Sequence, residues 1–293
     1  MRILLIGNTG QLGWELERAL APLGKVTSVD YPEVDLSNPD SVRVVITSLR
    51  PDVLINATAY TALDRAETEV DTAMAINARA PEIMAEEAKR LRSFFIHYST
   101  NYVFDGTKND LYVEQDAPNP INVYGSSKLT GEQAIEAIGG YYLIFRTSWV
   151  YSLRRDSFVT KVLKWSRTNK TLRIVSDQVS SPTWCRMLAE VNAHLLAKGG
   201  DHPSEWLGDR VGLYHLAGSG IANRFEWAQE ILKLDPNLTE QTLVKLLPAR
   251  TEEFPTPARR PLHSALNCDL FAEVFGLQLP AWDDALRMAM EIN

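Results

Sequence analysis

The sequence predicts an α/β protein, a doubly wound parallel sheet with a smaller, interleaved C-terminal lobe. Three observations carry this reading. Short β-branched runs alternate with amphipathic stretches through the first half, a glycine-rich turn follows the first run, and the texture changes after Trp149. Alternation of this kind implies parallel pairing, because a chain enters a parallel neighbour only through a long crossover, usually a helix.

Strands are expected at residues 3–6, 26–29, 53–55, 94–96 and 143–145. Leu12, Leu16, Ala19, Leu20 and Leu23 share one face of the first crossover, and Val42, Val45, Ile46 and Leu49 one face of the second. Asn38 is placed to cap the second helix, with Pro39 at the first helical position, where a missing N–H is tolerated. A longer helical pattern covers 70–91. Beyond Trp149 come a helix at 158–167, a strand at 172–175, Ser181-Pro182-Thr183 and a helix to residue 197. Residues 198–211, with Gly199-Gly200, Pro203 and Gly208, read as a surface loop. A strand at 213–216 follows, then short helices at 225–232, 270–275 and 282–292, with a Pro-rich segment at 254–261.

Composition excludes several classes. The 293 residues carry 30 basic and 37 acidic side chains, a net charge of −7, with no Lys/Arg run longer than a pair. Nucleic acid and anionic membranes are therefore not expected as partners. No uncharged apolar run has membrane-spanning length, and the first one is cut by Gly7-Asn8-Thr9-Gly10 before it could act as a secretory segment. Cys185 and Cys268 lack metal-ligand spacing and read as reduced thiols, which places the chain in the cytoplasm. His97, His215 and His263 stand singly and read as core or surface residues.

Chemistry is expected at three places. Gly7, Gly10 and Gly13 follow the first strand and open the first helix, where glycines let the backbone approach a pyrophosphate resting on unpaired helix N–H groups. Asp30 ends the second strand 20 residues after Gly10, the spacing at which a carboxylate meets adenosine ribose hydroxyls in a Rossmann fold. Tyr124 and Lys128 are i and i+4 on a helix, so an ammonium can lie near a phenol and stabilise its anion. Ser99-Thr100-Asn101-Tyr102 follows the fourth strand at the ligand-binding edge, where a hydroxyl can hold a carbonyl oxygen.

With these three elements in order, the sequence resembles the extended short-chain dehydrogenase/reductase family, whose pattern joins a Gly-rich first turn, a central Ser/Thr and Tyr-x-x-x-Lys. The resemblance covers nearly the whole chain and rests also on residues 10–16, 56–67, 97–100, 123–128, 145–151 and 255–261. It implies that Tyr124 donates a proton, that Lys128 binds the nicotinamide ribose and tunes Tyr124, and that Thr100 holds a sugar C4 carbonyl. Gly10, Gln11, Leu12, Asp30, Asp35, Leu36, Ala59, Tyr60, Thr61 and Tyr98 match positions that line NADPH or NADH, and Trp149 a position on the substrate side. Asn101, next to Thr100, is counted with the substrate contacts. The implied reaction is reduction of dTDP-4-dehydro-L-rhamnose to dTDP-L-rhamnose, a nucleotide-sugar step in polysaccharide biosynthesis. Arg259 and Arg260 are candidates to clamp the diphosphate.

Other readings are an epimerase or 4,6-dehydratase of the same superfamily, or a non-catalytic dinucleotide-binding regulatory subunit. A dehydratase would carry an Asp-Glu pair where Asn101-Tyr102 stand, and Thr100, Tyr124 and Lys128 together oppose the regulatory reading. The family usually has Asp at position 101, so Asn101 is a departure, as is His263 in place of a common Asn. Glu15 matches an acid of metal-bridged dimers, but Arg186 stands where another acid is expected; no metal is expected, and the oligomeric state, a homodimer included, is left open. Residues 1–150 are expected to bind the dinucleotide, and 151–293 mainly the substrate, with segments near 158–180 and 211–225 returning to the first domain.

Overall fold

The computed structural model describes residues 1–200 and 203–291. The first half runs β1 (Arg2–Ile6), α1 (Gln11–Leu20), β2 (Lys25–Val29), α2 (Pro39–Leu49), β3 (Val53–Asn56), α3 (Leu63–Ala66), α4 (Val70–Met74), α5 (Ala80–Leu91), β4 (Phe94–Thr100), α6 (Val123–Ile138) and β5 (Tyr142–Thr147). It continues as β6 (Val150–Tyr151), α7 (Phe158–Thr168), β7 (Thr171–Val175), β8 (Val179–Ser180), β9 (Thr183–Trp184), α8 (Cys185–Gly199), α9 (Pro203–Leu207), β10 (Gly212–His215), β11 (Ala222–Asn223), α10 (Arg224–Lys233), β12 (Lys245–Ala249), α11 (Asp269–Phe275) and α12 (Trp282–Glu291).

Six strands pair in the order β10-β5-β4-β3-β1-β2, every neighbour parallel. Strand alternation sorts the core into two layers: Ile3 and Leu5 face one side of the sheet, Leu4 and Ile6 the other. The first side is covered by Leu12, Leu16 and Leu20 of α1 with Leu188, Leu195 and Leu196 of α8. Val42 and Ile46 of α2, Ile83 and Met84 of α5 and Ile135 of α6 cover the second. Each fully buried aliphatic side chain contributes on the order of 1.5–3 kcal/mol by leaving water. Asn38 caps α2 as expected, its Oδ1 accepting from the N–H groups of Asp40 (3.0 Å) and Ser41 (3.4 Å).

Three expectations change. The pattern over 70–91 is not one regular helix, because a π-turn at Ala75–Arg79 separates α4 from α5. The segment 198–211 is not simply a loop: α9 forms there, with Pro203 and Leu207 buried, while 201–202 lie outside the described residues, as does Ile292 of the expected last helix. Of the two segments expected to return, 211–225 supplies β10 to the main sheet, whereas β7 of 158–180 pairs with β12 in a separate two-stranded sheet.

Candidate active site

Strand order reverses at β1, which has β2 on one side and β3 on the other, and ligands of open α/β sheets bind beyond the carboxyl ends at such a point. A cleft of about 710 Å³ lies there. It is lined by Gly7, Gly10, Gln11 and Leu12 of the first turn, Asp30 after β2, Ala59 and Thr61 after β3, Tyr98, Thr100 and Asn101 at the end of β4, Tyr124 and Lys128 of α6, and Trp149 after β5. Gly13, Asp35, Leu36 and Tyr60 stand outside this lining. Gly13 lets α1 sit on the turn, since a Cβ there would fall 2.0 Å from the Gly7 carbonyl oxygen. Asp35 holds the turn into α2 through the Ser37 N–H and hydroxyl, Leu36 packs in the second core layer, and the Tyr60 hydroxyl donates to Glu69.

The turn has the shape a dinucleotide requires. Gly7 sits at φ +99°, and a Cβ on it would meet Thr58 at 2.5 Å, so the backbone is open to a ligand only because the side chain is missing. No side chain caps α1 and its first turn carries no acid, which leaves its amides available to an anion. Among the described residues, Gln11 Oε1, Ser99 Oγ and Thr147 Oγ1 are buried without hydrogen-bond partners, and all three residues line the cleft. Asp30 Oδ2 accepts from the Thr9 N–H (3.2 Å) and hydroxyl (2.5 Å), and Oδ1 from the Tyr31 N–H (2.9 Å), which aims the carboxylate and still leaves acceptor capacity for a ribose hydroxyl. These residues fit a nicotinamide dinucleotide.

At the other end of the cleft, α6 delivers its phenol. Asn122 caps the helix by accepting from the Gly125 N–H (2.7 Å), and a Cβ on Gly125 would fall 2.1 Å from the Tyr102 carbonyl oxygen, so only glycine lets α6 close on the turn after β4. That approach sets Tyr124 edge-on to Tyr102, ring centroids 5.8 Å apart, and beside Thr100. Burial pushes the Tyr124 phenol up to about 12, against a lowering hydrogen bond from Thr100. The phenol is thus protonated at neutral pH, the form a proton donor needs.

Lys128 is 1% exposed, and its Nζ donates to the Tyr98 carbonyl (2.6 Å) and lies 3.2 Å from His97 Nε2. Burial lowers its pKa to about 8, opposed by Glu132 one turn further on. Glu132 in turn grips Arg146 of β5, the Nε and a terminal nitrogen lying 2.6–3.2 Å from its oxygens. His97 is kept neutral by burial and by the Lys128 charge. Asn56 Oδ1 is occupied by the N–H (3.1 Å) and hydroxyl (2.5 Å) of Thr58, so the amide nitrogen is the group that faces His97 Nδ1, at 3.1 Å. His97, read from sequence as an isolated histidine, therefore belongs to the surroundings of Lys128. The only signal for this is the cross-strand pairing of Asn56 with His97, which the sequence does not display.

On the lobe side, Asn101 is 1% exposed and donates to Ser180 Oγ (3.0 Å), Ser264 Oγ (2.7 Å) and the Ser264 carbonyl (3.1 Å). Its amide ties β4 to β8 and the 264 segment while its residue lines the cleft. Trp149 has φ +41°, a conformation that costs a bulky side chain about 1–2 kcal/mol. Its indole stacks on Trp227 (5.6 Å, 10°), and the Arg224 guanidinium carbon sits 3.6 Å from its ring centre. Arg259 is exposed, and Arg260 is held by both oxygens of Asp64 at 2.9 Å, so neither lines the cleft. Sequence reasoning missed two cations of the lining, Arg155 and Arg224, which have no spacing signal to reveal them. Arg186 pairs with Glu15 at 3.2 Å, joining α8 to α1.

Known proteins match this architecture along its length. The model of the RmlD substrate binding domain matches residues 1–292. A dTDP-4-dehydrorhamnose reductase of Escherichia coli is 41% identical, covering 98% of this chain and 96% of its own, and one of Burkholderia thailandensis is 38% identical, covering 99% and 98%. The chain belongs to the dTDP-4-dehydrorhamnose reductase family. A solved member from Bacillus anthracis, in complex with NADP, superposes with a TM-score of 0.90 at 31% identity, covering 100% of this chain and 99% of that one. The Asn at 101 has a local role: its amide N–H satisfies the Ser264 carbonyl, which a carboxylate there would confront.

Proposed function

We propose that the protein reduces the C4 ketone of dTDP-4-dehydro-L-rhamnose, giving dTDP-L-rhamnose, with NADPH or NADH as the reductant. The observation that carries this is the single cleft lined at once by the glycine-rich turn and by Thr100, Tyr124 and Lys128. Membership of a family whose relatives are named for this reaction supports the choice of ketone.

When bound, the dinucleotide supplies a hydride to the carbonyl carbon. The chain does the rest. The first amides of α1 and the Gly7–Gly10 backbone hold the pyrophosphate, and Asp30 accepts from the adenosine ribose. Lys128, fixed by the Tyr98 carbonyl, binds the second ribose. Thr100 donates its hydroxyl hydrogen to the ketone oxygen, and Tyr124 delivers its proton to that oxygen as negative charge develops, so no free alkoxide forms. Arg224 and Trp149 belong to the wall that meets the substrate.

Asn101-Tyr102 favours reduction over dehydration, because it stands where a dehydratase would carry the Asp-Glu pair that moves protons at the adjacent carbon. Residues 1–150 are assigned to the dinucleotide, and 151–293 mainly to the substrate, a division supported by the cleft lining. No described helix is long and apolar enough to cross a membrane. Both cysteines are free, which agrees with the reducing cytoplasm where these cofactors are kept. The test is loss of reduced-nicotinamide absorbance with dTDP-4-dehydrorhamnose, with the product identified by NMR. Turnover only with a different 4-keto sugar nucleotide, or with none, overturns the assignment.

A further inference from the structure

Arg224 is the first residue of α10, and its guanidinium is enclosed by aromatic faces: Trp149 at 3.6 Å, Phe158 at 4.8 Å and Trp227 at 5.4 Å from the guanidinium carbon. Such a box fixes the plane of the fork but satisfies none of its N–H donors. Among the described residues, no carboxylate lies within ion-pair distance of it and no side chain or carbonyl accepts from it, whereas Arg260 nearby is held by Asp64 and Lys128 by the Tyr98 carbonyl. A cation drawn partly out of water is costly unless an anion completes it. Arg224 lines the same cleft as Thr100, Tyr124 and Trp149, so the missing anion has a place to sit.

We propose that Arg224, stacked on Trp149, receives the diphosphate of the nucleotide-sugar substrate. The inference rests on reading the cleft as a nucleotide-sugar site. A planar, pre-oriented guanidinium donates to two phosphate oxygens through a rigid bidentate fork, a geometry that lysine's single ammonium nitrogen does not offer. Burial lowers the Arg224 pKa to about 10, so the charge is present at neutral pH. The cofactor's own pyrophosphate is the other source of this chemistry, and it is already provided for at the glycine-rich turn.

The test uses the holoenzyme saturated with NADP⁺ or NAD⁺, titrated calorimetrically with dTDP and with thymidine, for the native protein, Arg224→Met and Arg224→Lys. Arg224→Met is expected to weaken dTDP by about 10- to 100-fold, as loss of a charge-assisted hydrogen-bonded contact does, with thymidine and cofactor affinities unchanged. KM for the 4-keto substrate should rise by a similar factor with kcat little altered. Arg224→Lys keeps the charge and loses the fork, so it should fall between the two, and it carries the test if the Met variant does not fold. Equal dTDP affinity in the native and variant proteins overturns the inference. So does an equal loss for thymidine, which would make Arg224 a packing residue, or a loss confined to the cofactor. A native protein that neither binds dTDP nor reduces the ketone overturns the functional reading and the inference with it; one that does both beside an indifferent variant overturns the inference alone.

Discussion

Glu132→Gln replaces a 1%-exposed carboxylate with an amide of the same shape, and so removes a charge without opening a cavity. Its partner Arg146 is 3% exposed, and one terminal nitrogen of Arg146 already lacks an acceptor among the described residues. Breaking a buried pair from one side strands the other charge, which costs about 3–5 kcal/mol. For 293 residues an unfolding entropy of about 2.1 cal/mol/K per residue gives about 0.6 kcal/mol/K, so Tm should fall by about 5–8 °C. Scanning calorimetry and urea unfolding measure this directly. The control is Glu230→Gln, whose Lys233 partner is exposed and where the loss should stay below about 1 kcal/mol. Replacing both partners, Glu132→Leu with Arg146→Met, should recover much of the loss, because neither charge of the pair is then left without the other. A double variant less stable than Glu132→Gln, or a single variant no worse than the control, would refute the argument from a stranded cation.

Tyr124→Phe should lower kcat by about 10²–10⁴ while leaving cofactor affinity intact, since only the transferred proton is lost; a smaller effect removes Tyr124 as donor. With Lys128 near 8 when the cleft is free, kcat/KM should decline as pH rises through that value, because the ammonium that binds ribose is neutralised; the profile should lose this limb in Lys128→Met. The same depression acts on stability: the folded state carries the burden of a buried charge below about pH 8 and is relieved of it as pH rises toward the unfolded value, so urea midpoints should improve over that window in the native protein and not in Lys128→Met. Asn101→Asp should destabilise by about 1–3 kcal/mol in urea, because a buried carboxylate would face the Ser264 carbonyl. Asp30→Ala should raise the NADPH-to-NADH ratio of kcat/KM by removing a carboxylate that repels a 2′-phosphate; an unmoved ratio would separate Asp30 from cofactor choice.

What was legible in the sequence is what local spacing encodes. Gly7, Gly10 and Asp30 are fixed by one strand–turn–helix–strand passage, and Tyr124 and Lys128 by one helical turn, so a linear reading reaches them. Contacts set by pairing register or by the meeting of distant segments were not legible. His97 finds Asn56 only across β3 and β4, and Trp149 finds Arg224 only once α10 is docked. Strand β12 was missed because it contains Pro248 and exposes most of its residues, so it lacks the apolar alternation of a half-buried strand. The short helix α9 was hidden by the Gly and Pro around it, which read locally as a loop. Asn101 was expected on the substrate side, and its three bonds to Ser180 and Ser264 depend on a fold-back no short motif announces.

The sixth strand of the sheet has a consequence for how the polypeptide can be divided. β5 ends at Thr147, but the neighbour that covers its outer edge, β10, begins only at Gly212, after the chain has left and come back. While the ribosome is still making the intervening segment, the nascent sheet presents a row of bare amides and carbonyls beside the Glu132–Arg146 pair, a surface prone to stick to other chains. A gene cut near codon 150 would make that exposure permanent. The two halves are therefore a single folding unit, and a chimaera that exchanges one lobe for a relative's must keep a β10 that pairs with its β5.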